Sequence, residues 1–361
     1  MAITGKVHKK IAAAGIDVGF FSTKFTVGEA LGPSGTEIQV DQFQSLSPRL
    51  QGAFLPKPGG ADHVDAVAVK VKSVHYQVGK SVMSFLGSNT RMRVSNAEYC
   101  KSPGYMALMK GAFFYIAKAN GCTGDLVIES LTVGLPLNTI MTHDTFLEEL
   151  VQGEHTIPSP ANPDVNMKVI VRKVTVVAQP QGAIVNFTNR LANKIRSEDM
   201  CLVLDMGGGT FDWFVCDGTL QPDYERCGAT NTGALACANA VCNAITPGLQ
   251  DDPRTVAKVD QALRRGDESV SIGGTDYVLS QYWPEVEATL EEAILEMTNR
   301  VGKLITMDHI LITGGGASIL ERVFLAKFPK LAKITTVDDE PVYSNVRGFH
   351  QISYLVDILD K

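Results

Sequence analysis

Two aspartates stand where a carboxylate could do chemistry, because each ends an apolar run and precedes a glycine-containing turn. Asp17 ends the run IAAAGID, and Asp205 ends the run CLVLD. The turn residues beside them are Gly19, Ser22, Thr23 and Lys24 in the first case and Gly207, Gly208, Gly209 and Thr210 in the second. Glycine lets backbone N–H groups approach an anion closely, and hydroxyl groups and a lysine add further contacts. The two turns therefore predict the two halves of a phosphate-binding clamp.

The two carboxylates also predict a metal site. A buried carboxylate is costly unless it meets a cation or hydrogen-bond donors. Nucleotide-bound Mg²⁺ meets that need, since it prefers oxygen ligands and commonly keeps waters between itself and carboxylates. Each aspartate could instead cap its own turn by accepting from backbone N–H groups. Two matching copies favour a shared magnesium site at Asp17 and Asp205 over two separate caps.

A third glycine cluster, ILITGGGASILERVF, passes from a strand pattern through a turn into a helix pattern. It contains Gly314, Gly315 and Gly316 but no aspartate or lysine. Its backbone could lie against a sugar, a base or an α-phosphate near the helix start. It could also be only a close strand-to-helix turn. Neither GxxxxGK[ST] nor GxGxxG occurs in it.

The elements that must position these turns alternate between short β-rich runs and longer helical patterns, which favours α/β architecture. Strands are predicted at residues 11–18, 24–27, 64–71, 126–133, 168–177, 201–204, 211–216 and 309–313. Helices are predicted at residues 103–119, 144–151, 182–195, 232–245, 253–265, 284–305 and 319–328. The stretch 156–166, rich in proline and asparagine, predicts a surface loop. The segments GIDVGFFSTKFTVGEALG and VLDMGGGTFDWFVCDGTL share one plan of strand, aspartate, glycine turn and strand, which predicts two related halves.

Composition narrows the class of protein. The 361 residues suggest about two domains, and 45% hydrophobic with 20% charged residues is the balance of a soluble globular protein. The net charge of -6 comes without a basic block, so any contact with DNA is expected to be indirect. No apolar stretch approaches the roughly 20 residues that span a bilayer, and the seven cysteines predict free buried thiols. We expect a cytoplasmic protein with no membrane partner.

The order of the motifs resembles that of the actin, Hsp70 and sugar-kinase superfamily of ATPases. IDVGFFSTKF is similar to its first phosphate motif, VVAQPQGAIVNF to its connecting segment, LVLDMGGGTFD to its second phosphate motif and ILITGGGAS to its adenosine motif. The resemblance implies an α/β, actin-like (ribonuclease H-like) fold with duplicated lobes around a nucleotide cleft. Domain I would comprise residues 1–180 plus 340–361, and domain II residues 181–339.

Within that superfamily the sequence resembles the plasmid-segregation actins of the ParM/StbA type, including the protein D-like members of PRTRC plasmid systems. The resemblance lies in the IDVGxxxxK form and in the segments AEYCKSPGYMALMKGAFFYIAKA and LTVGLPLN. It implies an ATPase that uses ATP and Mg²⁺, releases ADP and assembles into filaments that segregate plasmid DNA. A centromere-binding adaptor of the ParR type would connect the filament to DNA.

The family's residue roles carry over only to matching positions. Asp17 and Asp205 would hold Mg²⁺ through water, and Lys24 would contact the β- and γ-phosphates. Gln179, which with Asp205 makes up the expected catalytic set, would orient the attacking water, although Gln181 is a rival for that role. Glutamine is adequate because loose phosphoryl-transfer transition states mainly need positioning and charge stabilisation.

Two further functions stay open at the level of sequence: a small-molecule (sugar-type) kinase of the same superfamily, and a nucleotide-gated scaffold that binds ATP without hydrolysing it. Phe20 and Phe21 depart from the small or polar residues usual in the first phosphate turn. Asp212 could lie near the nucleotide, but strand alternation also permits an exposed carboxylate, so it is left out of the predicted site.

Overall fold

Residues 6–32, 35–50, 65–85, 98–190 and 194–359 are described by a computed structural model. The strands are β1 Lys9–Val18, β2 Ser22–Gly32, β3 Gly35–Gln44, β4 Val67–Val71, β5 Val74–Val78, β6 Leu126–Leu135, β7 Gly153–Ser159, β8 Asn162–Ala178, β9 Met200–Met206, β10 Phe211–Asp217, β11 Gly228–Thr230, β12 Ser269–Ile272, β13 Thr275–Val278, β14 His309–Thr313 and β15 Thr335–Val337. The helices are α1 Pro103–Ala119, α2 Leu137–Val151, α3 Gln179–Arg190, α4 Ala234–Ile245, α5 Pro253–Arg265, α6 Trp283–Val301, α7 Ala317–Lys327 and α8 Ser344–Leu359.

The first sheet, as far as the described residues form it, has the strand order β3-β2-β1-β6-β8-β7. β1 and β2 form an antiparallel hairpin, whereas β1, β6 and β8 run parallel to one another. The second half of β1 is buried throughout, as expected for a central strand covered on both faces. Helix α1 packs on β2 and β4, and α2 packs on β6 and β8. We call this sheet with α1, α2 and α8 the first lobe.

The second sheet repeats the plan of the first. In the part of the chain that is described, its order is β11-β10-β9-β14-β15, with β9 and β10 antiparallel and β9, β14 and β15 parallel. This order matches β3-β2-β1-β6-β8 strand for strand. We call this sheet with α4, α5, α6 and α7 the second lobe. The predicted duplication and the two-lobed α/β architecture are confirmed.

Helices α3 and α8 cross where the two lobes join. α8 packs on β1 and β6 of the first lobe, and α3 packs on α8 and on β9 of the second. Two glycines allow this close crossing, because a Cβ on Gly348 would lie 1.8 Å from the Gly182 carbonyl oxygen. The last helix thus returns to the first lobe. The domain division at residues 1–180 plus 340–361 and 181–339 stays a prediction.

Helix starts and ends follow local signals in the sequence. The Ser102 hydroxyl accepts a hydrogen bond from the Tyr105 N–H at 3.1 Å, and Pro103 occupies the first helical position of α1. Asp252 caps α5 in the same way, and Gly266 ends that helix with a φ of 71°. The predicted bounds of α1 and α5 are correct to the residue. Those of strand β14 are correct as well.

Other predicted elements differ from the structure. Residues 156–166 were expected to form a loop, which is wrong: they belong to the antiparallel hairpin of β7 and β8. β7 alternates buried and less buried residues, and its Pro158 is tolerated because β7 is an edge strand. Helix α2 begins seven residues before the expected residue 144, and α8 was not predicted at all. Residue 64 of one predicted strand and residues 191–193 of one predicted helix lie outside the described residues.

All seven cysteines lie within the described ranges and are buried, as expected. No helix in those ranges is both long and apolar enough to cross a lipid bilayer.

Candidate functional site

A cleft that is partly open to solvent lies between the lobes, at the ends of β1, β9 and β14. It brings together nearly all of the site residues predicted from the sequence. Those in its lining are Asp17, Gly19, Ser22, Lys24, Gln179, Asp205, Gly207, Gly208, Gly209, Thr210, Gly314 and Gly315. Residues more than 290 positions apart in sequence therefore share one surface.

Two predicted residues lie beside the cleft without lining it. Thr23 is fully buried, and its hydroxyl hydrogen-bonds the Ser45 hydroxyl at 3.0 Å within the first lobe. The Gly316 N–H donates to the Met206 carbonyl at 2.8 Å, which ties the start of α7 to the end of β9. Both residues stabilise the shape of their turns, and neither is exposed to the cleft.

Asp17 is the centre of a polar cluster in the first lobe. Only 1% of its side chain is exposed, and the Lys24 Nζ donates to its Oδ2 at 2.7 Å. The Gln179 Nε2 donates to its Oδ1 at 2.7 Å. Lys24 faces Asp17 because the two are directly opposite each other in the β1–β2 hairpin. The cluster thus holds a carboxylate, a cation and an amide at one wall of the cleft.

The two glutamines that compete for the water-orienting role lie differently. Gln179 lines the cleft, whereas the Gln181 Oε1 accepts a hydrogen bond from the Ala178 N–H at 2.8 Å. Gln181 therefore satisfies a backbone donor at the start of α3 and is absent from the lining. The geometry favours Gln179 for any contact with a ligand.

Asp205 lies on the opposite wall. It is 4% exposed, and the Asn345 Nδ2 donates to its Oδ2 at 2.7 Å. Burial raises the pKa of Asp205 to about 6, and the Asn345 amide opposes this rise. Gly314 lies directly against it, since a Cβ at Gly314 would be 2.3 Å from the Asp205 Oδ1. Gly314 also has a φ of 87°, so this contact and this backbone conformation both require glycine.

Asp212, which the sequence analysis left out of the predicted site, is buried beside Asp205 and is absent from the lining of the cleft. It is opposite Asp205 in the β9–β10 hairpin, in the place that Lys24 takes opposite Asp17. It is 1% exposed, and its Oδ1 accepts from the Leu137 N–H of α2 in the first lobe at 2.9 Å. Burial first, and the nearby Asp205 second, raise the pKa of Asp212 to about 7. Its buried position is a result of packing that alternation along the strand could not indicate.

Asn345, Asn231 and Arg264 also line the cleft and were not predicted. No motif marks any of them, and Asn345 lies on α8, a helix that the sequence patterns did not reveal. Arg264 was visible only as the basic last turn of α5, where its Nε donates to the Asp260 Oδ1 at 2.8 Å. The only signal for Arg264 in the sequence was its position four residues after Asp260 on a predicted helix.

The glycine turn after β9 is held from behind by α4. The Ala234 and Leu235 N–H groups donate to the carbonyls of Gly207 and Gly208 at 3.0 Å each. A Cβ at Gly233 would lie 2.6 Å from the Gly208 carbonyl carbon, so the helix start touches the turn backbone directly. The carbonyls are therefore bonded to α4, which makes the turn a rigid support for groups in the cleft.

The residues present fit a magnesium ion bound with a nucleotide. Two buried carboxylates face one cleft, and buried polar atoms without hydrogen-bond partners lie beside them: Asn345 Oδ1 and the Tyr105 hydroxyl. No group of three or more His, Cys, Asp or Glu side chains within the described ranges could hold a metal. The set therefore suits a cation that takes most of its ligands from water and phosphate.

Comparisons with known proteins agree with this fold. Residues 15–182 match the family model for the N-terminal domain of actin-like proteins. The apo ParM protein of psk41 has a TM-score of 0.67 at 18% identity, with 98% of each chain covered. The archaeal actin homologue Ta0583 in complex with ADP has a TM-score of 0.70 at 16% identity, covering 95% of this chain and 99% of that one.

A 15-stranded ParM filament from Clostridium botulinum has a TM-score of 0.68 at 16% identity, covering 96% of this chain and 100% of that one. A comparison with curated proteins gives no match. At these identities the structural likeness establishes the fold. The chain therefore has the actin-like fold, and its residues 15–182 match the model of the N-terminal domain of actin-like proteins.

Proposed function

We propose that this protein is a magnesium-dependent ATPase that assembles into ATP-dependent filaments and segregates plasmid DNA. One observation carries the proposal: both phosphate-type turns, the third glycine turn and the carboxylates of Asp17 and Asp205 meet in one cleft. The fold shared with ParM filaments supports the assembly step. The ADP complex of the archaeal homologue supports a nucleotide as the ligand.

Each residue of the cleft would have a defined task. Backbone N–H groups of Gly208 and Gly209 would donate to phosphate oxygens, and Lys24 would neutralise phosphate charge. The Gly207 N–H donates to the Thr210 carbonyl at 2.9 Å and so closes the turn. Asp17 and Asp205 would hold the waters of the magnesium ion, which when bound supplies charge neutralisation on the phosphates. Lys24, which now pairs with Asp17, would be shared between the carboxylate and the phosphates.

Hydrolysis requires a positioned water. Gln179 is held at the cleft wall by its bond to Asp17, and its side-chain oxygen is left to accept from a water molecule. An amide can orient water without removing its proton, which suffices for a loose phosphoryl-transfer transition state. Asp205 would complete the catalytic set by holding the waters of the magnesium ion, which would supply the positive charge that the transferred phosphoryl group needs.

The cellular role adds partners that follow from the family. The chain would contact other copies of itself in the filament, and an adaptor of the ParR type would join the filament to a centromere-like DNA site. The net charge of -6 fits indirect contact with DNA. We expect the protein to act in the cytoplasm.

Assembly is tested by sedimentation and by negative-stain microscopy of the purified protein with ATP, with ADP and without nucleotide, each with magnesium. The proposal expects filaments and a pelleted fraction with ATP, and fewer of both with ADP. Tight ATP binding without assembly at every magnesium and salt concentration would reject the polymer.

Hydrolysis is tested by single-turnover measurements on Gln179→Ala, with Gln181→Ala as the matched control two residues away. We expect Gln179→Ala to slow hydrolysis by about 100-fold, a typical loss for a positioned catalytic side chain, and Gln181→Ala to keep the rate within about threefold. The reverse pattern would assign the role to Gln181. A wild-type protein that binds ATP without hydrolysing it would instead be a nucleotide-gated scaffold.

A further inference from the structure

One tyrosine in the lining of the cleft has a hydroxyl group without a hydrogen-bond partner among the described residues. Tyr105 lies in the first turn of α1 and is 2% exposed. Its hydroxyl is buried and unpaired, yet the residue lines the same cleft as Asp17. Burial, chiefly, raises the pKa of the Tyr105 hydroxyl, so the group keeps its proton. The cleft therefore contains a neutral hydrogen-bond donor that no side chain uses.

The Tyr105 hydroxyl has a fixed position. The Tyr105 N–H donates to the Ser102 hydroxyl at 3.1 Å, which fixes the start of α1. The Tyr99 ring meets the Tyr105 ring edge to face, with 5.5 Å between the two centroids. Because the phenol oxygen lies on the axis of the ring, rotation of the ring about that axis does not move the oxygen. Only the hydroxyl hydrogen can turn toward an acceptor.

An unpaired buried hydroxyl destabilises the folded state, because it has lost its bonds to water and gained none. A phenylalanine ring would fill the same space without that cost. Asp17 is close enough for its charge to raise the pKa of Tyr105 further, but it does not serve as the acceptor. Its Oδ2 accepts from Lys24 and its Oδ1 from Gln179. The fold itself thus gives no reason for a hydroxyl at this position, whereas a ligand in the cleft would.

The part of a nucleotide that this wall would receive is the γ-phosphate. Lys24 and Gln179, to which the proposed function gives the phosphate contact and the attacking water, belong to the polar cluster around Asp17. Tyr105 lies at the same wall of the first lobe. The turn with Gly314, expected to take the adenosine part, belongs to the second lobe. A phosphate oxygen is also a strong acceptor for a phenol, because its negative charge strengthens the hydrogen bond.

We propose that the Tyr105 hydroxyl donates a hydrogen bond to an oxygen of the γ-phosphate and so distinguishes ATP from ADP. The inference rests on the proposed nucleotide function of the same cleft. ADP has no γ-phosphate and leaves the hydroxyl unpaired. Tyr105 also begins α1, a helix of 17 residues that packs on β2 and β4 in the first lobe. The contact therefore joins the γ-phosphate to a long buried helix of that lobe.

Calorimetry on Tyr105→Phe tests the contact, because this substitution removes only the hydroxyl oxygen. The ligands are ADP and the non-hydrolysable β,γ-imido analogue of ATP, each with magnesium, at a protein concentration at which nothing sediments. The variant should bind the ATP analogue about 10–100-fold more weakly than the wild-type protein, the usual loss for a hydrogen bond to a charged group. Its affinity for ADP should stay within about twofold of wild type. An equal loss for both ligands, or no loss for either, would overturn the proposal.

The matched control is Tyr115→Phe on the same helix. Tyr115 is 3% exposed, is absent from the lining of the cleft, and donates its hydroxyl to the Asp65 carbonyl at 2.9 Å. Tyr115→Phe should unfold at a lower urea concentration than the wild-type protein and keep its affinity for both ligands. Tyr105→Phe, which loses an unpaired hydroxyl, should unfold at a urea concentration no lower than wild type. A lower midpoint for Tyr105→Phe would assign its hydroxyl to the fold and contradict the contact.

The same titrations separate the two proposals. Wild-type protein that binds neither ADP nor the ATP analogue would reject the proposed nucleotide function, and the γ-phosphate contact with it. Wild-type protein that binds both, with the same preference between them in Tyr105→Phe, would reject only the role of Tyr105.

Discussion

Replacing Asp212 by asparagine removes a buried ionisable group while keeping the contact between the lobes. Asp212 is 1% exposed and accepts a hydrogen bond from the Leu137 N–H, a bond that the asparagine side-chain oxygen can also accept. Burial and the neighbouring Asp205 raise the pKa of Asp212 from 3.8 to about 7. The folded protein therefore holds this proton at pH values where the unfolded chain has released it.

The sign of the pH dependence follows from that difference. Because the folded state binds more protons than the unfolded state between pH 3.8 and about 7, the free energy of unfolding falls as pH rises through this range. At about 1.4 kcal/mol for each pKa unit, ionising Asp212 lowers wild-type stability by about 4 kcal/mol above pH 7. About 2–3 kcal/mol of this loss falls between about pH 5 and pH 8. The asparagine side chain of the variant cannot ionise, so the advantage of Asp212→Asn over wild type should grow by that amount.

Urea unfolding of both proteins at about pH 5 and pH 8, in EDTA and without nucleotide, measures this advantage. The control is Asp217→Asn at the end of the same strand, where the hydrogen bond from Thr219, chiefly, lowers the carboxyl pKa. That stabilisation is present at neutral pH and is lost as pH falls, so the advantage of Asp217→Asn should not grow toward pH 8. An advantage of Asp212→Asn that is equal at both pH values would refute the reasoning.

Two further substitutions test the walls of the cleft and the crossing of the helices. Asn345→Ala removes the hydrogen-bond donor to Asp205. Nucleotide binding in the presence of magnesium, measured by calorimetry, should therefore weaken by about 10–100-fold, which is the usual loss for a group that orients a metal ligand. Nucleotide binding in EDTA should change little. Gly348→Ala places a Cβ 1.8 Å from the Gly182 carbonyl oxygen. The resulting overpacking should lower the free energy of unfolding, measured with urea, by about 3 kcal/mol. An unchanged free energy of unfolding would show that α3 and α8 separate easily.

The sheets could be predicted wherever the sequence pattern was local. Strands β1, β9, β10 and β14 appear as apolar runs that each end at a turn containing glycine, and helix α5 carries its own start and stop residues. The hairpin of β7 and β8 failed this test because proline and asparagine signal a turn wherever they occur. Only its place at the sheet edge makes Pro158 acceptable there.

The candidate site was predicted less evenly than the sheets. Residues inside the repeated strand-turn-strand units were found because their types and spacing recur in both halves. Asn345 and Arg264 were missed because each lies on a helix with no motif, and they reach the cleft only through packing. Asp212 was set aside because alternation along β10 assigns a face of the sheet without saying whether that face is covered.

The sequence by itself determined two hairpins, each with an aspartate at a strand tip and a turn able to approach an anion, because strand period and glycine conformation act between near neighbours. Tertiary structure alone decided which groups those aspartates meet. Asp17 accepts a hydrogen bond from Gln179, which is 162 residues away in the sequence. Asp205 accepts one from Asn345, which is 140 residues away. The same packing placed Tyr105 in the lining of the cleft. Such contacts depend on how helices and sheets pack in space, which local spacing along the chain does not specify.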